Sequence, residues 1–230
     1  MSKYINNQEA ISLVDPKLLS IPIRETNEPM IDLRDQSVIL FGPSPEIPDN
    51  KNYTKMRKTI YEKLVNAQRL LPDNLRLCVY EGYRDLELQS KLVGNRYTIL
   101  KNVNPQWDHE RLFQETAKLV SPLVNLDSSI NIPPHSTGAA IDVYLVDDKG
   151  GIVDMGIKVE DWMKDIDGSI SQTDSSKISE DAKRHRLLMS SVLKESGFVN
   201  YPGEYWHWSY GDRYWAHSTG NKFALYGIVE

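Results

Sequence analysis

The chain has one cysteine, Cys78, among 230 residues. A lone thiol cannot close an intramolecular disulfide, so a packed core has to hold the fold, and a multi-cysteine zinc knuckle is excluded. Positive charge is also short, since 27 Lys and Arg against 32 Asp and Glu leave a net charge of −5. That balance lacks the basic surplus that neutralises phosphates, so nucleic acid is not an expected partner. No stretch approaches the roughly 18 consecutive apolar residues of a membrane span. The first residues, MSKYINNQEAISLVDPKLLS, have no basic segment leading into an apolar one. The expectation is a chain with no membrane partner that works in the cytoplasm. Histidine is scarce too, with only His109, His135, His185, His207 and His217. Any metal site must be assembled from these and from carboxylates.

Hydrophobic residues make up 40% and charged residues 26% of the chain, a balance that can bury a core and is far from disordered compositions. Residues 1–50 are interrupted by Pro16, Pro22, Pro29, Pro43, Pro45 and Pro48, with β-rich character only over Ser37–Phe41. They predict an extended arm wrapped on a single domain that spans 1–230. Met56, Ile60, Leu64, Ala67 and Leu71 recur at helical steps between a candidate cap, Thr54, and a stop at Pro72, which predicts a helix over 54–71. Leu75, Leu77 and Val79 alternate with less apolar neighbours in a half-buried strand that runs into Glu81-Gly82-Tyr83-Arg84. Helices are expected over 85–101 and 108–120, the second capped by Asp108, followed by a loop over 121–137.

Residues 139–146 (AAIDVYLV) give the strongest strand signal, a central strand with an acid, Asp142, inside it. After a polar loop over 164–177, Ser179 caps a helix over 179–196 that stops at Gly197, and strands are expected at Trp206–Tyr210 and Phe223–Val229. Helices and strands do not alternate in a βαβ rhythm. The fold class expected is therefore α+β, with a mainly antiparallel central sheet flanked by helices.

Two turn-rich blocks place histidine beside carboxylate: His135-Ser136-Thr137-Gly138-Ala139-Ala140-Ile141-Asp142 and Glu204-Tyr205-Trp206-His207. Either block alone reads more readily as a surface histidine with a turn-forming acid. Together they offer three N/O ligands and a spare carboxylate, which suits a catalytic zinc with an open fourth position and Glu204 as general base. His135 and Asp142 are seven residues apart, an odd step that faces opposite sides of a straight strand, so His135 must lie on the preceding loop. A carboxylate buried in a core strand also needs a partner, and a metal ion is one of the few available.

The pair H-x-x-G-x-A-x-D and E-x-W-H, in the form just quoted, resembles the D-alanyl-D-alanine dipeptidases. These are zinc enzymes that share a fold with D,D-carboxypeptidases and the hedgehog zinc domain. Trp206-His207-Trp208-Ser209-Tyr210-Gly211-Asp212-Arg213-Tyr214-Trp215-Ala216, Ile21-Pro22-Ile23 and Gly82-Tyr83-Arg84 extend the likeness to about residues 20–216. The resemblance implies that His135, Asp142 and His207 bind one zinc ion, that Glu204 is the base and that Arg84 stabilises the oxyanion. It also implies a small dipeptide as substrate, whose ammonium meets Glu160 in Met155-Gly156-Ile157-Lys158-Val159-Glu160, with Asp161 a competing candidate. A serine that the family carries two residues before the first zinc histidine is Pro133 here, so the contact with the substrate carboxylate must differ.

Two other functions stay open at this point: a D,D- or L,D-carboxypeptidase acting on peptidoglycan stem peptides, and a non-catalytic zinc-binding module. His217-Ser218-Thr219-Gly220 repeats the first block's tetrapeptide, but Ala224 stands where the acid would be. His185, in a charged run, and His109, in a first helical turn, read as exposed. The aromatic residues between Tyr201 and Trp215 read as core packing and cavity wall in preference to a carbohydrate platform.

Overall fold

The computed structural model describes residues 11–44 and 52–229. Helix α1 (Pro16–Leu19) is followed by strand β1 (Met30–Asp32), a 3-10 turn (Leu33–Asp35) and strand β2 (Leu40–Phe41). Strand β3 (Lys55–Arg57) runs straight into helix α2 (Lys58–Leu70), and β4 (Leu75–Glu81) leads to α3 (Leu86–Val103) and α4 (His109–Ala117). A 3-10 turn (Pro134–Thr137) precedes β5 (Ala140–Asp147), and another (Val159–Lys164) lies ahead of α5 (Glu180–Glu195). The last elements are β6 (Val199–Asn200), β7 (His207–Ser209) and α6 (Arg213–Thr219). No helix among the described residues is long and apolar enough to cross a membrane.

The central sheet has the order β2-β4-β5-β7-β6. It is mixed: β2 pairs with β4 in parallel, while β4, β5, β7 and β6 pair antiparallel. Alternation along β5 sends Ile141, Val143 and Leu145 to one face, and the register sets Val79 against Val143 and Leu77 against Leu145. That face joins Ile60 and Leu64 of α2 and Met189 and Leu193 of α5 in one buried cluster. Each of these side chains is worth about 1.5–3 kcal/mol in area removed from water. The opposite face carries Asp142, with His207 directly across from it in the β5–β7 register and Glu81 across from it in β4. A register shift between Val79 and Glu81 in β4 brings Glu81 into that row.

Several boundaries differ from expectation, for reasons that lie in tertiary pairing. The helix expected over 54–71 begins only at Lys58, because Lys55–Arg57 pairs with Met30–Asp32 as a small second sheet. Thr54 is not its cap; its hydroxyl donates to Asp32 Oδ1 at 2.7 Å. The strand expected over Ser37–Phe41 shrinks to the two residues that pair with Cys78 and Val79. In place of a terminal strand over Phe223–Val229 there is a single bridge from Ala224 to Ile23, which ties the tail to the N-terminal segment. The short helix α6, capped by Asp212, was not anticipated. Asp85, Asp108 and Ser179 cap α3, α4 and α5 through side-chain oxygens, the last two as the sequence suggests. Of the expected arm, residues 1–10 and 45–50 lie outside the described residues.

Replacing Leu145, which is fully buried, with alanine is expected to cost about 2–5 kcal/mol of stability, read from the denaturant midpoint. Leu187→Ala, at a position on α5 that is 72% exposed, should stay within about 0.5 kcal/mol. A Leu145→Ala protein as stable as the parent would contradict this description of the core.

Candidate active site

The site is built where the sheet register and one sharp turn coincide. Asp142 and His207 face each other across β5 and β7. His135 arrives from the 3-10 turn ahead of β5, as the odd spacing to Asp142 requires. Gly138 ends that turn at φ +68°, a left-handed conformation that calls for glycine. The second block closes in the same way. Tyr201 N–H donates to His207 O, and Pro202-Gly203 turns the chain so that Glu204 returns beside His207.

Three acceptor atoms converge as a result. His135 Nε2 lies 3.1 Å from His207 Nδ1, His207 Nδ1 lies 3.1 Å from Asp142 Oδ1, and Asp142 Oδ1 lies 3.3 Å from His135 Nε2. All three residues are buried. His135 Nδ1 is 2.8 Å from the carbonyl oxygen of Gly82. A carbonyl can only accept, so Nδ1 carries the proton and Nε2 presents its lone pair to the cluster. Nε2 and Asp142 Oδ1 are then two acceptors in contact, and one proton on His207 Nδ1 can satisfy only one of them. A cation satisfies all three. The triangle fits one, because ligands bound at about 2.0–2.1 Å around a tetrahedral ion stand about 3.3 Å apart. Among the described residues, these three form the only group of three or more His, Cys, Asp or Glu side chains positioned to hold a metal ion.

Burial raises the proton affinity of Asp142, but positive charge beside it, on the His135 and His207 imidazoles or on an ion held between them, outweighs that and holds the carboxyl well below the usual carboxylate range. Glu204 behaves in the opposite way. Burial and the charge of Asp142 push it well above the ordinary glutamate value, against the pull of Arg84 and Arg96. Its Oε2 lies 3.8 Å from His207 Nδ1. A buried carboxylate with raised proton affinity beside a metal-competent cluster can take a proton from water in the same cavity.

Arg84 opens onto that cavity and is held on two sides. Its Nη1 donates to Gln89 Oε1 at 3.0 Å and its Nη2 to Glu81 Oε2 at 2.5 Å. Gln89 is fixed in turn by donating to Ser121 O. Sequence reasoning missed both Glu81 and Gln89. The available signal was an acid at the apolar end of β4 and a polar residue one turn past the Asp85 cap. Pro133, Trp162, Trp206, Leu119 and Leu13 are among the other residues that wall it.

Glu160 does not join this group. It is exposed, pairs with Lys158 Nζ at 3.9 Å and lines a different cavity with Tyr144 and Tyr205. Asp161 pairs with Lys164 and also lies outside the metal cavity. The 3-10 turn that carries both contributes Trp162 to it instead. His185 contacts Asp154 O and His109 contacts the Tyr97 hydroxyl, both at exposed sites, and His217 lies on α6 away from the cluster. Tyr205, Trp206 and Trp208 are almost fully buried, as wall and core.

The chain as a whole is similar to known proteins. A family model described as D-ala-D-ala dipeptidase, peptidase M15, matches residues 48–223, a span that holds both histidine blocks and Arg84. A protein named D-alanyl-D-alanine dipeptidase from Synechocystis sp. is 28% identical over a 240-residue alignment, covering 92% of this chain and 96% of that protein. A protein of the same name from Escherichia coli strain K12 is 34% identical over 118 residues, covering 51% of this chain and 56% of that protein. With a metal-competent cluster at its centre and most of its length inside the match, the chain belongs to the peptidase M15 family of metallopeptidases.

Proposed function

We propose that the protein is a zinc-dependent dipeptidase that hydrolyses D-alanyl-D-alanine, or a similar small D,D-dipeptide, to free amino acids. The observation that carries this reading is the convergence of three acceptor atoms, a carboxylate of raised proton affinity and a fixed guanidinium on one cavity. His135, Asp142 and His207 would hold the ion. Two imidazole nitrogens and one carboxylate oxygen at tetrahedral spacing favour zinc over the oxygen-rich shells that magnesium and calcium require. Zinc, when bound, supplies Lewis acidity that polarises the scissile carbonyl and makes water nucleophilic near neutral pH.

The chain's own groups do the rest. Glu204 takes the proton of the attacking water at its carboxylate and passes it to the nitrogen of the departing amino acid. The Arg84 guanidinium donates to the carbonyl oxygen as negative charge builds there. Its orientation is set beforehand by Glu81 and Gln89, so no reorganisation is needed during the reaction. Glu160 is the proposed partner of the substrate ammonium. It sits two residues from Trp162, a wall of the metal cavity, so a bound dipeptide would lie along the shared 3-10 turn. We take residues 1–230 as one peptidase domain with residues 1–50 as its arm, acting in the cytoplasm on a cell-wall-type dipeptide. A purely structural zinc would leave Glu204 and Arg84 in this cavity without a task, which disfavours a non-catalytic module.

Release of free D-alanine from D-alanyl-D-alanine by the zinc-loaded protein is expected. Glu204→Gln should keep the metal and lose at least about a hundredfold in kcat; turnover retained in that variant would remove Glu204 from the mechanism. Gly82→Ala is expected to weaken zinc binding about 10–100-fold in a chelator competition, as loss of a partner behind a ligand typically does. The added Cβ would fall 2.4 Å from the Lys55 carbonyl oxygen and displace the acceptor that orients His135. Unchanged affinity would show that this acceptor does not set the ligand.

A further inference from the structure

The metal cavity is too small for the substrate that its chemistry suits. Its volume, measured as space open to a water-sized sphere, is about 30 Å³. Each water needs about 10–15 Å³ of such space, so two or three waters fill it, whereas small-molecule sites generally run to about 300–1,000 Å³. A second, much larger cleft of about 420 Å³ shares a wall with it. Leu119 lines both spaces, and the chain that separates them is the N-terminal segment: Leu13 walls the metal cavity, while its neighbours Ser12 and Val14 wall the cleft.

Leu13 is held almost entirely by its side chain. It is 8% exposed and packs in a small cluster with Leu18, Tyr201 and Tyr214, apart from the main core. The Tyr201 ring packs in turn edge-on to the His207 ring, 6.3 Å between centroids, so Leu13 sits one aromatic layer from the metal-competent cluster. The backbone of residues 11–14 is only locally tied. Among the described residues its hydrogen bonds are Val14 N–H to Ser12 Oγ at 3.4 Å and Asp15 N–H to Ser12 O at 2.9 Å.

The chain beyond is anchored. Asp15 caps α1, Arg213 Nε donates to Ile21 O, Arg24 N–H donates to Ala224 O, and Ala224 N–H donates to Pro22 O. Among the described residues the segment is held by packing in the Leu13 cluster and by local backbone bonds alone, so it opens at lower cost than the sheet behind it.

We propose that Leu13 is the specificity-determining residue of the site, a removable stopper between the metal cavity and the larger cleft. This rests on reading that cavity as the active site. A small zwitterionic peptide enters through the cleft, lined by Lys118 and Asp167, which are ion-paired with Glu115 and Lys177 respectively, and displaces Leu13. Leu13 then packs against a bound dipeptide without regaining its seat on Tyr201, and cannot close in this way over a longer chain. A side chain smaller than leucine joins the two spaces and admits longer peptides; a larger one narrows the passage.

The test uses the zinc-loaded full chain and its Leu13→Gly and Leu13→Phe variants. Two quantities are read: the kcat/KM ratio of tri-D-alanine to di-D-alanine, and the rate at which excess EDTA strips the metal. Leu13→Gly should raise the ratio and the stripping rate at least tenfold, and Leu13→Phe should lower both. Both readouts within twofold of the parent in both variants, with thermal midpoints unchanged, would overturn the proposal. If the parent cleaves neither peptide, the dipeptidase reading fails, and the stripping rates alone still decide whether Leu13 gates the cavity.

Discussion

His135, Asp142 and His207 present acceptor atoms to a single buried point, and this contact is repulsive unless something positive occupies it. The separations of 3.1–3.3 Å leave no room for each atom to find its own donor. An isolated buried carboxylate costs several kcal/mol, and a buried carboxylate facing a second lone pair costs more. The sheet nevertheless holds these atoms in place, since Asp142 and His207 are fixed by the β5–β7 register and His135 by its bond to Gly82 O. The apolar face behind them, packed with α2 and α5, sets that register, because a one-residue slip would turn Asp142 into the core and Ile141 out of it.

The rest of the site follows from the same row. The β4 irregularity that brings Glu81 level with Asp142 also puts it within reach of Arg84 at the start of the next loop. A guanidinium buried beside a carboxylate and an amide oxygen is oriented before any substrate arrives, which is the condition for stabilising charge that appears only during reaction. Glu204 owes its raised proton affinity to the same burial that holds the cluster together. The low dielectric that makes the acceptor triad costly without an ion also makes Glu204 a useful base beside one.

The sequence was legible where local chemistry and function coincide. Asp142 stands out because an acid interrupts an otherwise apolar strand, and His135 and Glu204 because each follows a proline-containing turn that bends the chain back on itself. The Asp108 and Ser179 caps and the Pro72 stop act within one helical turn, so their helices could be placed. What escaped depends on partners far away in sequence. Lys55–Arg57 fits a helical period but is drawn into a strand by Met30–Asp32, and β2 is defined by Cys78 and Val79. Glu81 and Gln89 gain their meaning only from where Arg84 lands. Glu160 was read from a linear motif, yet it lies on a 3-10 turn. With three residues per turn, Glu160 and Trp162 leave that turn in different directions, so only the latter faces the metal cavity. Leu13 carried no signal at all, since a leucine in a proline-interrupted arm is indistinguishable from a packing residue until the cavity beneath it is seen.

The central claim is that the acceptor triad is a cation site and not a hydrogen-bonded cluster. Thermal unfolding of the metal-stripped chain, with and without added zinc, tests it most directly. An ion that binds only the folded chain at about a thousand times its Kd adds about 4 kcal/mol. For a chain of this size that should raise the melting temperature by roughly 8–16 °C, and Asp142→Asn should abolish most of the rise. Identical midpoints with and without zinc in the parent protein would contradict the account.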